Sequence, residues 1–236
     1  MQSSFFSFIV RTLGVIFVIE AVFFDMDGLM LDTEPITIQA KVIEGNKIGL
    51  PITEAMVRDT IGMSQKNVDQ YYHHLFGDKY HHQYFIEKRR EYLFHYMEEH
   101  GLPLKKGLIP LLELLKSKHL PLAVVTSSTK EILAQYQKYG TVFEYFDRLI
   151  TGDEVKEGKP NPDVYLYAAK VMGVDPKNCV VLEDSKNGII SASKAGMQVL
   201  MIPDLIMPDE EVLSYHPKIY SSLEAAMEYF QDNEIA

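Results

Sequence analysis

From Gly107 onward, short β-branched runs alternate with stretches of helical length, and this alternation constrains the fold more than any other feature of the chain. The order is helix (108–118), strand (121–125), helix (130–139), strand (148–150), helix (162–172), strand (179–182), helix (186–195) and strand (198–202). Strands joined through helices run parallel, and parallel strands buried on both faces read as unbroken apolar runs such as Val180-Val181-Leu182. Right-handed crossovers then put helices on both faces of the sheet. An earlier apolar run, Ile19 to Phe24, supplies the first strand. Between it and Gly107 the pattern is helical only. One helix opens at Pro35 and runs to about Ile48, others follow Thr53 and Ser64, and a long one runs from about Lys79 to Gly101. The expectation is an α/β chain, a Rossmann-like doubly wound parallel sheet core with an inserted all-helical domain. The core takes residues 19–33 and 103–236, the insert takes 34–102, and residues 1–18 form an extension of unknown role.

Composition narrows the functional classes. A formal charge of −10 with no basic block argues against nucleic acid as a partner, because phosphate backbones are held by clustered Lys and Arg. The single cysteine, Cys179, excludes an internal disulfide and fits a reducing compartment, so a cytoplasmic location is expected. Beside Val180 to Leu182 it reads as a core residue. Ser4 to Phe24 is apolar, but Arg11 and Glu20 interrupt it and no positive segment precedes it, so no stable membrane insertion is expected.

In a doubly wound sheet, functional groups gather in the crevice beyond the carboxyl ends of the strands. Four such ends carry polar chemistry. Asp25-Met-Asp27-Gly28 follows the first strand, and Thr126-Ser127-Ser128 follows Val124-Val125. Gly-Lys159-Pro-Asn-Pro-Asp follows Leu149-Ile150, and Glu183-Asp184-Ser185 follows Leu182. Singly, each fits a turn or a helix cap, since Asp, Gly, Ser and Thr are ordinary turn and cap residues. Four in order at strand ends point to one pocket.

The chemistry those residue types supply is phosphoryl transfer. Asp25 is the candidate nucleophile, whose carboxylate attacks phosphorus once a hard cation offsets the charge repulsion. Magnesium prefers oxygen ligands, which Asp25, Asp184, Glu183 and the backbone carbonyl of Asp27 offer. Asp27 is the candidate acid and base for the leaving oxygen and the attacking water. Lys159 and Thr126, with Ser127 beside them, are candidate ligands for the transferring group.

This constellation resembles the haloacid dehalogenase superfamily, in its phosphatase and β-phosphoglucomutase-like branch with a helical cap after the first motif. The residues carrying the likeness are Asp25-Met-Asp-Gly-Leu-Met-Leu-Asp32-Thr33-Glu34, Val124-Val125-Thr126, Gly158-Lys159-Pro160-Asn161-Pro162-Asp163 and Leu182-Glu183-Asp184-Ser185. The resemblance implies Asp25 as nucleophile and metal ligand, and Asp27 as acid/base and backbone metal ligand. It also implies Thr126 and Lys159 as phosphate ligands and Asp184 as a metal ligand beside Glu183. Where β-phosphoglucomutases carry a His after the first motif and an Arg in the insert, this chain has Thr37 and Gln65. The expectation is therefore a magnesium-dependent, monomeric phosphatase of a small phosphorylated metabolite, sugar phosphates foremost. A β-phosphoglucomutase-type mutase is the alternative, and a non-catalytic phosphate-binding module is a more remote one. The insert is the natural specificity element. The pairs His73-His74 and His81-His82 read as a solvated face of the insert, since adjacent helical residues diverge.

Overall fold

The computed structural model describes residues 8–12, 15–61, 63 and 65–231, with side chains described from residue 18 onward except at 65. In chain order the strands β1 (Phe8–Thr12), β2 (Val15–Ile19) and β3 (Ala21–Phe24) come first. The helices α1 (Glu34–Lys47), α2 (Glu54–Arg58), α3 (Gln65–Phe76) and α4 (His82–His100) follow. Next are α5 (Leu108–Ser117), β4 (Leu122–Val125), α6 (Lys130–Tyr136), β5 (Arg148–Ile150) and α7 (Asp163–Met172). The chain continues through β6 (Cys179–Glu183), α8 (Lys186–Lys194), β7 (Gln198–Met201), α9 (Glu210–Ser214), β8 (Lys218–Ile219) and α10 (Leu223–Gln231). Two compact units result, one formed by the chain up to Leu31 together with Leu104 onward, the other by Asp32–Pro103. Among the described residues no helix is long and apolar enough to cross a membrane.

In the first unit the main sheet has the order β5-β4-β3-β6-β7-β8, and every neighbouring pair is parallel. Phe24 stands opposite Val124 on one side and Leu182 on the other. The chain builds β4 and β5 outward from β3 and then crosses to β6 on the opposite side, a reversal that opens a crevice at the strand carboxyl ends. Strands β3, β4 and β6 are buried at every position, as their unbroken apolar sequences require. On one face Phe23, Val181, Tyr165 and Ile189 join a common core, each apolar side chain there contributing about 1.5–3 kcal/mol by leaving water. Helix α5 buries Leu108, Leu111, Leu112 and Leu115, spacing that puts all four on one face. Cys179 is fully buried with its thiol donating to the Asp175 carbonyl at 3.3 Å, and burial pushes the thiol up to about 12.

The start of the first core strand differs from the sequence expectation. Ile19 belongs to β2, which pairs antiparallel with β1 in a separate two-stranded sheet, Phe8 opposite Ile19. The break falls at Glu20, whose amide donates to the Asn178 carbonyl at 2.8 Å and whose carboxylate accepts from the Asp175 amide at 2.9 Å. The expected extension over 1–18 thus contributes β1 and most of β2, while residues 1–7, 13 and 14 lie outside the described residues.

The second unit is helical. Thr53 caps α2 by accepting the Met56 amide, and α4 ends at Gly101, which adopts φ of 79°. Its core is aromatic: Tyr72, Tyr80 and Phe85 stack at centroid spacings of 4.8 Å and 5.0 Å, packed with Ile38, Leu50, Ile52 and Val57. The buried Tyr72 places its hydroxyl on the Met56 carbonyl at 3.2 Å, satisfying the one polar atom that burial strands.

Candidate active site

All the candidate side chains but Lys159 stand where a strand of the main sheet stops. The amide of Asp25 donates to the Leu182 carbonyl at 3.1 Å, tying the end of β3 to β6. The chain then turns at Gly28, whose φ is +90° and where a Cβ would lie 2.3 Å from Asp184 Oδ2. Only glycine meets both conditions. Beyond β4, Thr126 is buried, and its hydroxyl oxygen accepts the Ser128 amide at 3.0 Å, which shapes the loop. Lys159 comes from the loop before α7. Glu183 closes β6, and Ser185 caps α8 by accepting the Gly188 amide at 3.1 Å.

Lys159 is the hub. Its Nζ lies 2.6 Å from Asp25 Oδ1 and 2.7 Å from Glu183 Oε1, and donates to the Val125 carbonyl at 2.9 Å. Glu183 is committed at both oxygens. Oε1 also accepts from the Tyr165 hydroxyl at 2.9 Å, and Oε2 accepts from the Ser185 amide at 3.1 Å and hydroxyl at 3.0 Å. A charge network this deep is tolerated because nearly every lone pair finds a donor. Gly188 makes room for it, since a Cβ there would fall 1.6 Å from Glu183 Oε1.

The electrostatics follow from that crowding. Burial raises Asp25 to about 7, with Lys159 opposing and Glu183 reinforcing. Burial, then Glu183 and Asp25, pushes Asp184 well above the usual carboxylate range. Burial works against the Lys159 ammonium, yet Asp25 and Glu183 outweigh it and hold Lys159 well above the ordinary lysine value. Carboxylates that resist ionising together are what a divalent cation relieves.

One carboxylate oxygen from each of Asp25, Glu183 and Asp184 lies within 4.8 Å of the others. These three differ in readiness. Glu183 spends its lone pairs on four protein donors, whereas Asp184 Oδ1 is buried with no hydrogen-bond partner among the described residues. An orphaned carboxylate oxygen beside Asp25 is a donor set that fits a hard cation, with Glu183 better suited to fixing Lys159.

Asp27 is oriented by groups the sequence did not single out. The Ser128 hydroxyl donates to its Oδ2 at 3.1 Å and the Tyr136 hydroxyl to its Oδ1 at 3.2 Å. Ser127 is exposed, so of the two serines after Thr126 it is Ser128 whose side chain reaches Asp27. Tyr136 on α6 and Tyr165 on α7 belong to none of the sequence motifs. Their hydroxyls were the available signal, because a buried tyrosine hydroxyl must find a partner.

A model of the haloacid dehalogenase-like hydrolases matches residues 22–202. The chain belongs to that family. Among its relatives is the phosphorylated carbohydrates phosphatase of Thermotoga maritima, 33% identical over 179 residues that cover 76% of this chain and 82% of that protein. Hexitol phosphatase B of Escherichia coli is 31% identical over 185 residues, covering 78% and 83%. Among solved structures, CbbY of Rhodobacter sphaeroides in complex with phosphate is 25% identical with a TM-score of 0.69, over 88% of this chain and 96% of that one. The α/β architecture is that of haloacid dehalogenase-like hydrolases, and phosphatases are among the relatives.

Proposed function

We propose that this hydrolase is a magnesium-dependent phosphatase of small phosphomonoesters, sugar and sugar-alcohol phosphates foremost, acting through an aspartyl-phosphate on Asp25. The observation that carries the reading is the joint placement of Asp25, Lys159 and Asp184 at adjoining strand ends, with Asp27 oriented by two hydroxyls. Asp25 and Asp184 would hold the cation, which would supply Lewis-acid neutralisation of the phosphoryl charge. Lys159 fixes Oδ1 of Asp25 and leaves Oδ2 to attack phosphorus. Lys159 and the Thr126 hydroxyl then hold the charge spread over the transferring oxygens. Asp27 gives its proton to the departing alkoxide oxygen, and afterwards takes one from the water that attacks the aspartyl-phosphate and frees Asp25. Ser128 and Tyr136 keep its carboxyl aimed through both proton transfers.

The relatives named for phosphorylated carbohydrates and hexitols support the substrate class. The test is a panel of sugar, hexitol and short polyol phosphates assayed for released phosphate with magnesium and with a chelator. Turnover that needs the metal is expected. No release from any member of the panel overturns the reading, and conversion of β-glucose 1-phosphate to glucose 6-phosphate without released phosphate replaces it by a mutase.

A further inference from the structure

The helical insert carries a solvent-open cavity of about 180 Å³. Ile38, Val57, Tyr80 and Phe85 give it an apolar lining, and Lys41, His82 and Arg89 bring three basic side chains to it. Glu34 is the one carboxylate among the described lining residues. The volume is below the roughly 300–1,000 Å³ of sites for drug-sized molecules, so what enters is small.

Lys41 is the unusual member. Its ammonium sits 3.9 Å above the centre of the Tyr72 ring, with the rings of Tyr80 and Phe85 at 5.8 Å and 6.0 Å. Among the described residues it has no hydrogen-bond or ion-pair partner, so the ring faces alone hold a half-buried cation. Nearby hydroxyls do not compete for a ligand's charge. Thr60 donates to the Val57 carbonyl at 2.8 Å and Thr37 to the Glu34 carbonyl at 3.0 Å, so their protons are committed.

His82 departs from the solvated face expected for the His81-His82 pair. His81 is exposed, but His82 is half-buried in the cavity wall with Nδ1 3.1 Å from the Tyr80 hydroxyl. The charge acting on Lys41 is that of Arg89. Burial and then Arg89 bring Lys41 down to about 7, and burial lowers His82, which Asp69 opposes and Lys41, Arg89 and His73 reinforce. Two groups that disfavour their own protonation, in a cavity with aromatic walls, mark a place where a negative charge is missing.

We infer that this cavity binds a compact organic anion, its carboxylate or phosphate group between Lys41 and Arg89 and its carbon atoms against Tyr80 and Phe85. The anion has two possible sources, a second charged group on the phosphomonoester itself or a separate small metabolite. Only the first rests on the phosphatase reading.

The test uses the full chain and begins with binding, which needs no turnover. Succinate is titrated into metal-free protein while amide and side-chain resonances are followed by NMR. Saturable shifts are expected at Lys41, Thr60, His82 and Arg89, with affinity weakened about tenfold or more in Lys41→Met and in Arg89→Met. Arg89 is exposed, so its variant folds even if Lys41→Met does not, which circular dichroism checks. Shifts absent at those residues, or equal affinity in the folded variants, overturn the site. Kinetics then assign the source. A preference for 3-phosphoglycerate over glycerol 3-phosphate that Lys41→Met removes through KM places the anion on the substrate. If there is no preference but succinate changes the rate in wild type and not in the variant, the anion is a separate ligand. If turnover is absent while the shifts appear, the phosphatase reading fails and the anion site stands.

Discussion

In the core unit the Lys159 side chain is 4% exposed and sits between two carboxylates at 2.6 Å and 2.7 Å, whereas in the insert Lys41 rests over an aromatic ring with no acidic partner among the described residues. The core settles its buried charge internally. Its lysine, its glutamate and the hydroxyls around them are mutually satisfied, and one oxygen of Asp184 is left over. The insert does the reverse and leaves a cation facing open space. Core geometry of this kind suits one chemical step on many molecules, because it responds to the group all of them share. A cavity whose half-buried lysine has no acidic partner among the described residues responds to what makes one molecule different from another.

The strongest way to break this contrast is to remove Asp25, the proposed nucleophile. Asp25→Asn is expected to lower turnover by on the order of 10⁴-fold or more while the thermal melt keeps its shape. Unchanged phosphate release would end the assignment of Asp25. Next is a paired comparison of the two lysines by urea denaturation. Lys159→Met strands Asp25 and Glu183 and is expected to cost about 3–5 kcal/mol, whereas Lys41→Met relieves a desolvated cation and is expected to leave stability level or raise it. Equal losses would show that the two lysines are held alike.

A third, smaller effect concerns room for Glu183. Gly188→Ala should cost about 1–3 kcal/mol although alanine favours helices, because its Cβ would meet Glu183 Oε1. Gly158→Ala, where a Cβ meets nothing within 4 Å, should stay within about 0.5 kcal/mol in the same assay. A further effect is a pH dependence confined to the insert. Lys41 stands near 7 in the folded chain against an ordinary 10.5, with Arg89, His82 and Glu34 around the same cavity. Between those values the unfolded chain binds a proton that the folded chain does not, so stability gains with rising pH through that window. Denaturation of wild type and Lys41→Met across that range should show the gain in the first and not in the second.

The two units were unequally legible in the sequence. Strands β4, β6 and β7 were readable because a strand buried on both faces leaves an unbroken apolar run, and Asp25, Thr126 and Glu183 were readable because they follow such runs directly. The apolar stretch from Phe8 to Phe24 was not divisible the same way. It holds three strands, and what separates β2 from β3 is the pairing of Glu20 with the distant Asp175 and Asn178, which has no local signature. Strand β8, two exposed residues long, carries no pattern to read. In the site, Ser127 and Ser128 are identical in chemistry, and the turn fixed by Thr126 decides which one reaches Asp27. In the insert, the spacing of Lys41 within α1 gives no hint of the rings beneath it. Those rings come from Tyr72, Tyr80 and Phe85, which only the packed helices bring together.

The sealed environment of Cys179 has a practical consequence for following this protein in solution. A thiol with no access to water and a depressed tendency to ionise is passed over by maleimide dyes and by methanethiosulfonate spin labels. The natural chain is therefore silent to such reagents as it stands. Exchanges such as Ser117→Cys or Gln83→Cys, both at exposed positions, would each carry a single probe with no background to subtract.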